Sequence, residues 1–226
     1  MARRQSFWPK RHNILFRFYG QYVRFIDINL ESYNLVCMKN PFESDLFYHT
    51  IGSPFGPVTI LWSLYMGHPK IFRIVLPTPD GTIGLNDETM KTMEPRTCGQ
   101  IDRVARDMTA YFKGSDIMFS LAPLRLETCS EFMQRVLLAE AAIPWGRVSS
   151  YQRIAQFIKA PTSARAVGRA LARNPFPIVL PCHRAIRTDR TLGGFQGGLK
   201  MKRALLEMEG VNFDPLGRVE VFQFFL

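Results

Sequence analysis

Pro181-Cys182-His183-Arg184 holds the residues of this chain best suited to chemistry. A cysteine and a histidine are adjacent, an apolar run (Ile178, Val179, Leu180) precedes them, and a glycine-rich loop (Gly193, Gly194, Gly197, Gly198) follows. A thiolate is a strong nucleophile, but a free thiol with a pKa near ~8.5 is only slightly ionised at neutral pH. Nearby positive charge, or a histidine able to take the proton, raises that fraction. In isolation a Cys-His dipeptide is more often structural than catalytic, so the neighbouring segments decide its meaning.

Those segments must position the pair. Ser149-Ser150-Tyr151-Gln152 has the form of a capping box and predicts a helix through Ile158. Pro161-Thr162-Ser163 predicts a second over Ala164–Arg173, ended by Asn174-Pro175 because proline disfavours a helical residue before it. Two short helices joined by a tight turn make a helix-turn-helix. The second would be its recognition helix. Arg165, Arg169 and Arg173 recur every four residues, while Ala164, Ala166, Gly168, Ala170 and Ala172 stay small enough for the backbone to approach a surface closely. An ordinary basic amphipathic helix would show the same pattern. Upstream, Thr128-Cys129-Ser130-Glu131 is another capping box, opening a helix that carries Phe132, Val136, Leu137 and Ala141 and ends at Ile143-Pro144-Trp145-Gly146. A last helix, Leu199–Glu209, is closed by Gly210.

The earlier half has a different pattern. Leu46–Ile51, Val58–Tyr65 and Lys70–Leu76 are β-rich and divided by Gly/Pro turns, which predicts an antiparallel meander. Ile101, Val104, Ala105, Met108 and Phe112 have helical spacing, with Gly114 as a stop. Residues 121–124 form a connector. In residues 1–45, alternation over Ile26–Leu30 predicts a strand, and Phe16 and Phe18 point to another. The expected fold is α+β. A small antiparallel-sheet-plus-helix domain (46–121) follows an extension of unassigned role (1–45). It precedes a mainly helical domain (124–214) with a winged-helix-like helix-turn-helix, then a tail (215–226).

Composition bounds the function. The chain has 226 residues, 46% of them hydrophobic, and a net charge of +10. Residues 124–226 hold 15 Lys/Arg against 8 Asp/Glu, most of the excess, which suits a polyanion as well as a plain solvated surface. Cys37, Cys98, Cys129 and Cys182 include no Cys-x-x-Cys pair, arguing against a disulfide framework or a cysteine-built zinc cluster. A reducing intracellular compartment fits this usage. No run reaches the ~18 apolar residues of a membrane span, and the basic N-terminus lacks the form of a secretory signal.

Together these motifs resemble the O6-alkylguanine-DNA alkyltransferases (methylated-DNA–protein-cysteine methyltransferases). The resemblance rests on Trp145-Gly146-Arg147-Val148-Ser149-Ser150-Tyr151, Ser163-Ala164-Arg165-Ala166-Val167-Gly168 and Asn174-Pro175-Phe176-Pro177. It rests equally on Pro181-Cys182-His183-Arg184, Gly193-Gly194-Phe195-Gln196-Gly197-Gly198 and Leu205-Leu206-Glu207-Met208-Glu209-Gly210. It is strong over residues 128–213, weaker over 47–114, and absent from 1–45. It implies a partner, double-stranded DNA carrying alkylated guanine, and a single irreversible transfer of the alkyl group to Cys182. It implies that His183 and Glu209 relay the cysteine proton and so favour thiolate, and that Asn174 braces the cysteine turn. Arg165 would fill the gap left by a flipped base, Tyr151 would press on the adjoining phosphate, and Arg169 and Arg173 would contact phosphates. Trp145, Pro177 and Phe195 would line the base pocket, with Gln196 facing it and backbone near Ala185 reading the guanine edge. Phe195 stands where many members have tyrosine, Trp145 is larger than the usual residue, and Ala185 replaces a common valine; these bear on which alkyl groups fit. No cofactor or metal is expected, since the alkyl group comes from the DNA. A monomer is expected, in the cytoplasm, or the nucleus of a eukaryote. Rival readings are an alkyltransferase-like lesion sensor without transfer, a Cys-His hydrolase, and a DNA-binding regulator.

Overall fold

The computed structural model describes residues 16–18, 21–23, 45–79, 82 and 91–226. Within Met1–Pro41, one of two structural units, strands β1 (Phe16–Phe18) and β2 (Gln21–Val23) pair antiparallel. The strand expected over Ile26–Leu30 lies outside the described residues.

In the second unit, Phe42–Leu226, strands β3 (Leu46–Ser53), β4 (Gly56–Tyr65) and β5 (His68–Val75) form the expected antiparallel meander. Two-residue loops join them, tighter than the Gly/Pro stretches alone imply. Residues Pro54 and Phe55 sit in the first, where the Ser53 hydroxyl donates to the Gly56 carbonyl at 2.6 Å. A short β6 (Glu94–Pro95) adds in parallel beside β3, giving the order β5-β4-β3-β6. Two residues long, it carries no period from which it could be read. Helix α1 (Gly99–Phe112) begins two residues before the apolar spacing does and buries Ile101, Val104, Ala105, Met108, Tyr111 and Phe112.

The connector is part of the sheet's edge. Ile71 donates its N–H to the Pro123 carbonyl and accepts from Arg125 N–H, both at 2.8 Å. Helix α2 (Glu131–Ala141) follows, capped by Ser130, whose hydroxyl accepts from Met133 N–H. The cap is therefore Ser130 and not the first residue of the Thr128–Glu131 box. That is a shift of two residues, and a shift of one occurs at α3 (Tyr151–Phe157). There Ser150 caps through Arg153 N–H at 3.1 Å, while Ser149 donates to the Phe225 carbonyl at 2.5 Å. Helix α4 is Ala164–Ala172 and α5 is Gly198–Met208. The strands β7 (Ser149–Ser150) and β8 (Ala185–Ile186) pair in parallel, joining the entry of α3 to the residues just after the cysteine.

One apolar cluster joins the two halves of this unit. It runs from Phe47, Trp62 and Ile74 in the sheet through Met108 and Tyr111 of α1 to Leu137, Ile154, Val167, Cys182 and Leu205. A smaller cluster, Val148, Ile186, Leu206, Val211 and Val219, packs the far side of α5. Among the described residues, no helix is long and apolar enough to cross a membrane.

Candidate active site

Cys182 opens a single 3-10 turn, Cys182–Arg184, entered through Pro181. Proline lacks an N–H and restricts φ, and the Cys182 N–H instead closes a tight bond to the Leu180 carbonyl at 2.8 Å. Asn174 holds the approach to the turn. Its amide oxygen accepts from Phe176 N–H and its amide nitrogen donates to the Leu180 carbonyl, both at 2.9 Å. Between those anchors Ile178 sits at φ +74°. A β-branched residue there is a strained outlier that persists only where its surroundings over-determine it. The sheet adds a third anchor, since Ile74 N–H donates to the Pro175 carbonyl at 2.7 Å.

Behind the nucleophile lies a closed polar network built on Glu209. Helix α5 ends in a Schellman motif. Gly210, at φ +81°, donates to the Glu207 carbonyl, and Val211 N–H donates to that of Leu206, both at 2.9 Å. A side chain at φ > 0 is costly, so glycine there lets the chain reverse and turns Glu209 inward, 3% exposed. Its Oε1 lies 2.8 Å from His183 Nε2 and accepts from the Tyr111 hydroxyl at 2.7 Å and Arg184 Nη2 at 2.9 Å. Arg184 Nε donates to Oε2 at 2.9 Å, and Nη1 to the Ile143 carbonyl at 2.5 Å. Burial opposes charge on Glu209, but His183 and Arg184 outweigh it and hold the carboxyl down at about 2. It is an anion at neutral pH. A carboxylate has no proton to give, so His183 Nε2 must carry the hydrogen. Burial lowers the His183 pKa despite Glu209 and keeps the ring neutral. Its Nδ1 is then a bare acceptor, buried and without a hydrogen-bond partner among the described residues.

Burial works against the thiolate that this relay is expected to favour. Cys182 is 4% exposed, and burial pushes its thiol up to about 12. Glu140 adds to the rise, whereas Asn174 and Lys202 oppose it. Desolvation dominates because a thiolate under the surface loses more hydration than the Asn174 amide and the Lys202 charge return. The free protein therefore holds a covered thiol.

The remaining predicted residues fall around this centre. Tyr151 is the first residue of α3, partly buried, and Gly193 leaves space for it: a Cβ at Gly193 would stand 2.6 Å from the tyrosine oxygen. On α4, Val167, Ala170 and Leu171 are buried, while Arg165, Arg169 and Arg173 are exposed. Ala164 and Gly168 are half-buried on the same helix. Trp145 packs edge-on to Tyr111, with centroids 5.5 Å apart, and Phe195 edge-on to His183 at 6.2 Å. Gln196 is exposed and ties its loop to the cysteine approach by donating to the Asn174 carbonyl at 2.7 Å. Pro177 and Ala185 are buried, and the Ala185 carbonyl already accepts from Lys202 at 2.6 Å.

Sequence reading passed over four residues of this centre. Arg184 belongs to the cysteine motif itself, yet its side chain reaches Glu209. Tyr111 arrives from α1, 98 positions before the carboxylate it touches. Glu140 and Lys202 are wholly buried. Tyr111 and Lys202 were open to one signal, a polar residue on the inward face of an amphipathic helix.

Comparison with known proteins now bears on this arrangement. The pattern of the family described as 6-O-methylguanine DNA methyltransferase, DNA binding domain, matches residues 131–211. The methylated-DNA–protein-cysteine methyltransferase of Mycobacterium tuberculosis is 38% identical over 167 residues, covering 73% of this chain and 92% of its own. That of Methanothermobacter thermautotrophicus is 41% identical over 114 residues, half of this chain and 64% of the relative. Among solved structures, the M. tuberculosis O6-methylguanine methyltransferase in complex with DNA superposes with a TM-score of 0.56 at 34% identity, covering 73% of this chain and 93% of that one. With the cysteine, its histidine–glutamate network and the helix-turn-helix in one domain, the chain belongs to the methylated-DNA–protein-cysteine methyltransferase family.

Proposed function

We propose that this protein repairs DNA by accepting the alkyl group of O6-alkylguanine, chiefly O6-methylguanine, onto Cys182 in a single irreversible step. The observation that carries the reading is a covered thiol next to a neutral histidine whose Nε2 is locked by Glu209 and whose Nδ1 is free to take a proton. The lesion is stacked inside a duplex, so the base must leave the stack, at a cost of roughly a few kcal/mol. The exposed arginine face of α4 supports entry into a narrow groove. Arg165 takes the vacated place in the stack, Tyr151 bears on the adjoining phosphate, and Arg169 and Arg173 hold the backbone. Trp145 and Phe195 flank the incoming purine.

The atoms balance. The sulfur forms a bond to the alkyl carbon, the carbon–O6 bond breaks, and its electron pair stays on guanine. The thiol proton passes through a bridging water to His183 Nδ1, where the Glu209 carboxylate stabilises the imidazolium, and the imidazolium then returns that proton through water to the departing guanine, which leaves neutral as His183 becomes neutral again. A raised thiol pKa suits this order. The nucleophile is generated only where an acceptor is in place, so stray electrophiles meet a thiol. A thioether does not hydrolyse under mild conditions, so each molecule reacts once, and as a monomer.

The test is intact mass after incubation with a duplex containing O6-methylguanine. A gain of one methylene that disappears in Cys182→Ser is the expected result. Unchanged mass with tight binding would establish a lesion sensor instead.

A further inference from the structure

The chain beyond α5 takes no part in the transfer just described, yet it bonds to the segments that hold Tyr151 from two sides. Asp214 reverses it: Oδ1 accepts from the N–H groups of Leu216 at 2.9 Å and Arg218 at 2.8 Å. On the return, Val219 N–H donates to the Arg190 carbonyl and Glu220 N–H to that of Asn212, both at 2.9 Å. Further on, Phe225 N–H donates to the Val148 carbonyl at 2.9 Å, and the Phe225 carbonyl accepts from the Ser149 hydroxyl. Val221 and Phe224 pack on the cluster of Val148, Ile186 and Leu206, whereas Phe225 and Leu226 pack on the larger cluster that contains Cys182. Phe224 and Phe225, neighbours in sequence, thus enter different clusters, and the segment is held on both of its faces.

Ser149 is the junction. It is wholly buried, its strand β7 pairs with β8 at Ala185, just past Cys182, and its hydroxyl reaches out of that pairing to Phe225. Tyr151 then opens α3 under the Ser150 cap. The same stretch of chain also steadies what lies against the tyrosine hydroxyl. Val219 bonds Arg190, shortly before Gly193, where a Cβ would stand 2.6 Å from the tyrosine oxygen. The backbone entry of Tyr151 and the loop against its ring are therefore both tied to residues 219–226. A side chain that must bear on a phosphate works only at a fixed position, and a misplacement of about 1 Å costs on the order of a hundredfold in rate.

We propose that Ser149 and Phe225 are positioning residues, and that residues 219–226 form a strap that fixes Tyr151 relative to Cys182 for extrusion of the damaged base. Its consequence for repair rests on the DNA-repair reading above, in which Tyr151 bears on the phosphate beside the lesion. A free base needs no extrusion, so the strap governs reaction with duplex DNA and leaves reaction with the free base alone.

The test compares single-turnover transfer to Cys182 from saturating duplex carrying O6-methylguanine with transfer from free O6-methylguanine, both read by intact mass. S149A removes the hydroxyl donor, and a second variant ends the chain after Glu220. S149A is expected to slow the duplex reaction about threefold to tenfold, the range one buried hydrogen bond commands, with the free-base rate unchanged. The shortened chain should slow it further, and F225A, which removes the packed ring alone, serves if that chain does not fold. Amide exchange over residues 148–152, followed by mass spectrometry, should quicken in S149A. Equal loss on both substrates, no loss on the duplex, or unchanged exchange overturns the proposal. Quickened exchange in S149A, beside a wild type that transfers from neither substrate, would reject the DNA-repair reading and leave the strap on Tyr151 standing.

Discussion

At the scale of single residues, the centre is organised by one carboxylate. Glu209 accepts from a histidine, an arginine and a tyrosine while almost fully buried, which makes its ionisation a stability term. Its pKa is near 2 in the folded chain and about 4.3 in an unfolded one, so it contributes above the unfolded value and is lost as pH falls toward 2. About 3 kcal/mol of stability should disappear between pH 5 and pH 2. Urea melts across that range will show it, and in Glu209→Gln this slope should be absent. The variant should also be less stable at pH 7 by about 3–5 kcal/mol, because Arg184 loses its buried counter-charge. Tyr111→Phe removes one donor to a charged acceptor and should cost about 1.5–3 kcal/mol in urea. It should also slow transfer to Cys182, because Glu209 and His183 Nε2 both lose the phenol that helps orient them.

At the scale of elements, the helix-turn-helix depends on a tight reversal between α3 and α4. Lys159 stands there at φ +58°, and its N–H and that of Ala160 close a second Schellman motif onto Gln156 and Ala155. A lysine bears the left-handed conformation less well than glycine. Lys159→Gly should therefore raise stability by about 0.5–1 kcal/mol, measured by thermal or urea melts. Helix α4 separates positioning from insertion. Arg169→Ala should weaken binding evenly across DNA sequences and reduce the salt dependence of binding by about one phosphate contact. Arg165→Ala should slow repair of duplex lesions while leaving reaction with the free base largely intact. Equal loss on both substrates would count against an inserting role for Arg165.

At the scale of the molecule, the sheet and the helices of residues 42–226 share a core and a site. The sheet supplies the Ile74–Pro175 bond behind the cysteine approach, and α1 supplies Tyr111 to Glu209. Residues 124–226 alone would carry every residue of the recognisable motifs, yet lose both supports. That fragment should unfold at lower urea than the full chain and transfer more slowly if it folds, as melts and single-turnover rates would show.

Much of this was legible in the chain. The cysteine turn, the meander, the helix-turn-helix and the Gly210 stop are written in short-range spacing, because turns, caps and periodicity are local properties. The caps lie beyond the first residue of each box, by two at Thr128 and by one at Ser149, where Ser149 and Ser150 are equally good caps and only the Phe225 carbonyl selects between them. Strand β6 carried no signal at two residues. What the sequence by itself determined is the identity of the reactive group and the elements around it. Tertiary structure alone decided that the thiol is covered, that Tyr111 and Arg184 complete the Glu209 network, and that Glu140 and Lys202 are wholly buried. The reason is that burial and long-range charge fix protonation, and neither exists until segments far apart in the chain come to lie within a few ångströms of one another.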